Sequence, residues 1–344
     1  VKTIILRLLY RSGLLGLFHR WRNRDSLTVV LFHRVLPFDL TLPSARQPEW
    51  AVTPQVLDHY LRFFLRHYHL VSLSQVRTAA HGGPPLPGRA LLITLDDGYV
   101  DNLTCAAPVF QQHRAPALLF AVAGDFDGLE LWQESVGRAW RQGLLQPADC
   151  DRLWSFAAQG EPAPGDWSRG ESITRLLARL QRLPATARQA ALDECRPPLP
   201  PRLHDCLMRP AQLDAWVRAG FDVGSHGVTH HPLTLSADQE SELSLSRQRL
   251  RDILAPAGQH IHSVSWPHGR FNEATIAAAR RCGYDLFFST DPALNLAPNG
   301  KPGTHLGRIE PGLVAVSSQG RFEPERLARA LFLLPRRAQP LPRP

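Results

Sequence analysis

Residues 91–95, Leu-Leu-Ile-Thr-Leu, form an apolar run of strand length that stops at two carboxylates, Asp96-Asp97, followed by Gly98. Such a run reads as a buried strand, the kind found in α/β sheets covered on both faces. Two adjacent carboxylates at its end repel each other, and a neighbouring cation offsets that cost. Successive side chains of a strand point to opposite faces, so neighbouring aspartates reach one site only where the strand breaks into a loop. Gly98 permits the break. Two readings stay open on this segment alone: one aspartate ligates a metal while the other handles a proton, or the pair caps a turn or the next helix.

The pattern of buried run and polar end recurs. Residues 27–32 read as a strand ending at His33-Arg34-Val35, and 116–122, 221–225, 261–265 and 284–289 read as further strands. Helical spacing over 53–69, 103–112, 210–219, 236–254 and 272–282 alternates with them, which predicts an α/β fold with a parallel sheet or barrel. The alternation is interrupted over 126–209. Arg, Gln, Ala and Leu dominate there, helical segments fall at 134–142 and 172–183, and Pro197, Pro198, Pro200 and Pro201 close the stretch. This reads as a helical insertion or lid, with a separate small domain as the alternative. The expected organisation is a basic amphipathic helix (1–25), a first barrel part (26–125), the insertion (126–209), a second barrel part (210–334) and a mobile Pro-rich tail (335–344).

At 344 residues and 44% hydrophobic content the chain is long enough for one large domain or two medium ones. A formal charge of +8 favours anionic partners, or is a solubility bias of 39 Lys plus Arg spread over the surface. No basic run carries interleaved aromatics, so nucleic acid is not expected as a partner. Five scattered cysteines without CxxC spacing argue against a disulfide framework or a cysteine-rich zinc site. The first 25 residues mix leucines, isoleucines and Trp21 with Arg7, Arg11, Arg20, Arg22 and Arg24. No apolar stretch there reaches the roughly 20 residues that span a bilayer, and Arg7 and Arg11 break a signal-peptide core. Peripheral contact with an anionic membrane fits this composition, and so does a helix packed on the domain with its arginines in water. The expected localisation is cytoplasmic.

The second informative segment, Gly224-Ser225-His226-Gly227-Val228-Thr229-His230-His231, again follows a strand. Two histidines four apart can present both rings to one side of a turn. With Asp96-Asp97 they supply a nitrogen and oxygen donor set that leaves a coordination position for water, the layout of a catalytic zinc. A third strand end, Ser265-Trp266-Pro267-His268-Gly269-Arg270, offers Trp266 for stacking on a sugar and His268 as a hydrogen-bond donor, or is an ordinary loop with a buried Trp.

In this order and spacing, Thr94-Leu95-Asp96-Asp97-Gly98, His226-Gly227-Val228-Thr229-His230 and Pro267-His268-Gly269 resemble the polysaccharide deacetylase family with the NodB homology domain, carbohydrate esterase family 4. His33-Arg34-Val35, Gly283-Tyr284 and Arg308-Ile309 extend the likeness over about residues 27–310. The resemblance implies a distorted (β/α)7-type barrel with the metal at the carboxyl ends of the strands. It implies that Asp97, His226 and His230 hold a divalent metal, Zn2+ with Co2+ or Ni2+ as alternatives, and that Asp96 is the general base. A backbone N–H near Tyr99 is expected to meet the oxyanion. Trp266, Pro267, His268, Tyr99 and Arg308 are the expected substrate contacts. Two departures stand out. Ser265 replaces an arginine that orients the aspartate, for which Arg270 or Arg308 can substitute. The late histidine that protonates the leaving amine is missing, and His33 is the preferred replacement ahead of His268 and His305. The implied activity is removal of acetyl groups, N-acetyl first, from an N-acetylhexosamine-containing polysaccharide or lipid-linked glycan. The alternative is a silent glycan-binding module on the same fold.

Overall fold

The computed structural model describes residues 2–41, 50–124, 127–128, 130–158, 160–195, 199–204, 206–236, 238–298, 300, 304–333 and 335–337. Pro197, Pro198 and residues 338–344 of the Pro-rich tail lie outside them. The chain divides into two compact units, one formed by Val1–Thr41, Trp50–Phe126 and Met208–Pro344, the other by Leu42–Glu49 and Asp127–Leu207.

The first unit is built on parallel strands β1 (Ser26–Phe32), β2 (Ala90–Leu95), β3 (Leu118–Ala121), β4 (Asp222–Ser225), β5 (Ser263–Ser265) and β6 (Leu286–Phe288), each pairing with the next. An antiparallel strand β7 (Ala293–Leu296) pairs with β1, and β8 (Thr304–Leu306) runs parallel to β6. Just beyond β8, Ile309 reaches β1: its N–H donates to the Val29 carbonyl, and its own carbonyl accepts from the Leu31 N–H. The sheet thereby curls into a nearly closed, barrel-like ring.

The uniform burial of β1, β2 and β3 follows from this closure, because one face of each strand meets the ring's interior and the other meets helices. Alternation sorts the side chains. Leu27, Val29, Leu92, Leu118, Phe120, Leu286 and Phe288 form one apolar cluster. Their strand neighbours Val30, Ile93, Leu95, Leu119 and Phe287 join another with helix residues such as Tyr60, Phe64 and Leu250. Leu92, Thr94 and Asp96 share a parity, so the pleat carries Asp96 toward the inside of the ring at its carboxyl end.

Residues 2–22 form two helices rather than the single expected one: α1 (Lys2–Arg11) and α2 (Leu14–Arg22). Gly13, at φ +81°, makes the break, in a backbone region that costs a residue with a Cβ. Both helices pack on the unit. Tyr10 stacks on Phe63, and His19 is fully buried against Phe332 with ring centroids 4.0 Å apart. Burial pushes the His19 pKa down to about 3, so the ring is neutral. At the other end of the chain, Arg336–Arg337 pairs with β7.

The second unit is helical, with Trp132–Arg141, Pro147–Ala158, Gly170–Leu180 and Ala185–Asp193 around a core of Leu153, Trp154, Ile173, Leu176 and Leu180. Among the described residues no helix is long and apolar enough to cross a membrane. All five cysteines are free thiols.

Candidate active site and metal centre

Four strand ends build the site. After β2 the backbone turns sharply: Asp97 has φ +74° and Gly98 φ +84°. A Cβ on Gly98 would sit 3.3 Å from the Ala121 Cα on β3. This turn lets neighbouring aspartates face one place, at the cost of holding a non-glycine residue in a left-handed conformation. His230 is held likewise, at φ +56°, and Gly227 stands at φ +77°, where the resembled motif has a hydroxyl residue. Glu242, on the helix Gln239–Leu254, secures the loop by accepting from the backbone N–H groups of Val228 and Thr229 and from the Thr229 hydroxyl.

The outcome is a buried cluster in which one ligand atom each of Asp97, His226 and His230 lie within 4.8 Å of one another. Asp97 Oδ1 stands 3.3 Å from His226 Nε2 and 3.1 Å from His230 Nε2. Burial by itself would raise the Asp97 pKa, but His230, His226 and His33 hold it well below the usual carboxylate range. The donor set fits a divalent cation on a direct observation. His226 Nδ1 is 2.9 Å from the Ser265 carbonyl, which can only accept, so Nδ1 carries the proton. In the neutral ring Nε2 then presents a lone pair to Asp97 Oδ1, acceptor against acceptor, and without an ion only a protonated ring donating from Nε2, the state that holds the Asp97 pKa low, relieves that clash. A cation between them turns this repulsion into ligation, with the carbonyl fixing the tautomer from behind.

Asp96 is held differently. Arg308 grips it with a two-pronged ion pair, Nη1 to Oδ1 and Nη2 to Oδ2, both at 2.7 Å, and the Ser265 hydroxyl donates to Oδ2 at 3.2 Å. Arg308 also donates from Nε to the Ser289 carbonyl and lies over the Phe120 ring. Burial pulls the Asp96 pKa up, but Arg308, His226 and His33 outweigh it, and the carboxyl stays below its ordinary value. Of the two arginines expected as substitutes, Arg308 is the one whose guanidinium meets Asp96, and it also donates to the Ser265 hydroxyl. Its side chain is wholly buried and its donors are committed to Asp96, Thr94, Ser265 and Ser289, so the expectation that it contacts substrate is corrected.

His33, at the end of β1, pairs through Nδ1 with Glu310 at 3.2 Å. Burial alone would lower its pKa, but Glu310, then Asp97 and Asp96, push it up to about 9. The neighbouring backbone is fixed by Asp101, which takes a fork from Arg34 and the Val35 N–H, and by Asn102, which donates to the His33 carbonyl. The other histidines considered for the acid role are placed otherwise. His305 Nε2 accepts from the Trp266 indole, and burial lowers its pKa to about 4. His268, at φ +58°, donates from Nε2 to the His230 carbonyl, and burial holds its pKa well below the usual histidine range.

Trp266 is fully buried, stacked on Phe287 at 5.6 Å, which corrects the expectation that it stacks on sugar: its faces are already occupied by core rings. Pro267 is also buried. The Tyr99 side chain is buried under the Arg34 guanidinium, 4.5 Å from the ring centroid, and leaves only its backbone for a substrate contact. Sequence reasoning missed Glu310, two residues past Arg308, and Trp50, whose ring is half exposed and 5.6 Å from His33. No local signal marks either; the ring closure brings residue 310 beside residue 33.

Residues 179–287 match the model of the polysaccharide deacetylase family, a span that holds both histidines of the cluster but not the aspartate pair. The poly-beta-1,6-N-acetyl-D-glucosamine N-deacetylase of Escherichia coli K12 is 23% identical over 237 residues, 66% of this chain and 29% of that protein. The chain thus spans about three-tenths of the length of that curated relative. Among solved structures, the Streptococcus pyogenes deacetylase PplD in complex with acetate aligns over 90% of this chain and 99% of its own, with TM-score 0.54 and 16% identity. IcaB from Ammonifex degensii aligns over 83% and 91%, with TM-score 0.50 and 18% identity. These structural likenesses establish the fold.

Proposed function

We propose, from the chain's kinship with the polysaccharide deacetylases, that it is a metal-dependent hydrolase removing N-acetyl groups from an N-acetylhexosamine-containing glycan. The observation that carries this reading is the convergence of Asp97, His226 and His230 on one point beside an Asp96 that Arg308 keeps ionised. These three residues would hold the divalent ion, with Zn2+ the first choice for their nitrogen and oxygen donors. Bound there, such an ion supplies Lewis acidity and a water of lowered pKa.

The chain's own groups supply the proton traffic. Asp96 accepts the proton of the attacking water, and the Arg308 fork aims its carboxylate and keeps it charged. His33, protonated at neutral pH through Glu310, donates to the departing amine. The backbone N–H near Tyr99 meets the oxyanion as charge builds on the carbonyl oxygen. Trp50, beside His33 and open to solvent, offers the sugar-stacking face that the buried Trp266 cannot. The two features whose absence favours a silent binding module, an orienting arginine and a late acid, are here supplied by Arg308 and by the His33–Glu310 pair.

The test is acetate release from β-1,6-linked and chitin-like N-acetylglucosamine oligomers and from a lipid-linked acceptor, after reconstitution with Zn2+, Co2+ or Ni2+. Metal-stimulated release that Asp96→Asn abolishes is expected. Equal rates in wild type and variant, or release indifferent to chelation, would sink the proposal.

A further inference from the structure

The helices α1 and α2 carry apolar side chains on two sides, and packing uses only one. Inward, Leu15 and His19 are buried, and Leu6 and Tyr10 pack on the same core. Outward, Ile4, Ile5, Leu8 and Leu9 on α1, and Leu14, Leu17, Phe18 and Trp21 on α2, are exposed, Trp21 to 71%. Their spacing of three and four residues puts each set along one side of its helix. Isolated exposed leucines are ordinary, but eight large exposed apolar residues within 18 positions are a surface awaiting a partner.

Charge identifies the partner. Residues 1–24 contain six Lys or Arg and no Asp or Glu. Arg7 is used internally, on Glu323 and Glu325, and Arg22 donates to the carbonyls of Phe332 and Pro335. These contacts anchor the helices to the unit. Arg11 and Arg20 remain exposed at the edges of the apolar sides, and Arg24, also exposed, pairs with the exposed Asp25 at 2.9 Å, a contact that water screens. Beside Trp21 a cleft of about 240 Å3 runs to Leu296 on β7, another exposed leucine, with Arg22, Arg24 and Asp25 in its wall. An apolar side that enters hydrocarbon, rimmed by cations that meet phosphates, is complementary to the surface of an anionic bilayer.

We infer that α1 and α2 form a lateral docking surface for an anionic phospholipid membrane, with Leu17, Phe18 and Trp21 entering the acyl boundary and Arg11, Arg20 and Arg24 lying among the headgroups. Among the described residues neither helix is long and apolar enough to cross a membrane, and lying in its plane brings the exposed apolar sides of both to the lipid. Their inward packing makes the surface rigid and orients the unit on the membrane. The inference does not depend on the deacetylase reading, because binding is measured without turnover.

The experiment is co-sedimentation of the full chain with phosphatidylcholine vesicles, with and without about one-third phosphatidylglycerol. Strong sedimentation only with the anionic vesicles, weakening as salt rises, is expected. The double substitution Leu17→Glu with Trp21→Glu should lower the partition coefficient about tenfold or more, and Arg20→Glu about fivefold. All three positions are exposed, so thermal unfolding should match wild type, unlike deletion of residues 1–25, which would uncover Phe63 and Phe332. Equal sedimentation of wild type and the double variant overturns the inference. So does a wild-type dimer that never binds vesicles and that the double variant makes monomeric, since the occupant is then a second copy.

Discussion

The two ends of the barrel each hold a histidine facing an aspartate at the same distance. At the carboxyl ends of the strands, His226 Nε2 lies 3.3 Å from Asp97 Oδ1; at the amino ends, His81 Nε2 lies 3.3 Å from Asp285 Oδ2. Residue type and separation do not tell them apart. Burial does: the first pair has side chains 2% and 7% exposed, the second 42% and 19%. In water the second pair is screened and contributes little, whereas removal from water multiplies every charge effect at the first. Number matters as well. Asp285 also takes Arg77, an ordinary cation, while Asp97 faces two imidazoles, and that of His226, its Nδ1 held by the Ser265 carbonyl, turns Nε2 toward it.

Asp97→Asn should produce the largest effect. It removes the charged member of the donor set, so metal content after dialysis should fall towards zero, together with activity, while Asp285→Asn leaves both unchanged. Asp96→Asn should lower kcat by a factor on the order of 10²–10⁴ with metal content intact; retained kcat would move the base elsewhere. Next comes Arg308→Ala, which leaves Asp96 buried and unpaired and should cost about 3–5 kcal/mol in denaturant unfolding as well as activity. An unfolding midpoint close to wild type would show that water reaches Asp96.

The pH dependence sharpens the contrast further. In the fold His33 is raised from its ordinary value near 6.5 to about 9. Its pairing therefore contributes stability that is fully present below about 6.5 and is lost as pH rises through about 9. As an acid it should give an activity profile that falls through the same upper limit. Glu310→Gln should move that limb down towards neutrality, and an unmoved limb would remove Glu310 from the acid's control. Asp285→Asn, the smallest expected change, should alter unfolding free energy by no more than about 1 kcal/mol.

Much of the fold is legible in the amino-acid order because burial writes itself locally. Runs such as Leu91–Leu95 and 27–32 are apolar on both faces, and helices alternate with them, so a parallel sheet or barrel follows from pattern alone. The break at Gly13 was less legible, since apolar residues continue across it, and only the backbone shows the left-handed turn. At the site, Asp96-Asp97 and His226 with His230 could be found by spacing, because each pair is close in sequence. Trp266 could not be placed by the same means: an aromatic at a strand end suits a sugar or a core equally, and its packing against Phe287 decides for the core.

By itself the sequence determined the periodicity of the strands, the donor types at their ends and the acid-free basic segment at residues 1–24, all properties of short stretches of chain. The tertiary structure alone decided which distant groups act on them. Ring closure brings Arg308 to Asp96 and Glu310 to His33 across more than 200 residues, and the same closure removes water, on which the strength of both pairs depends.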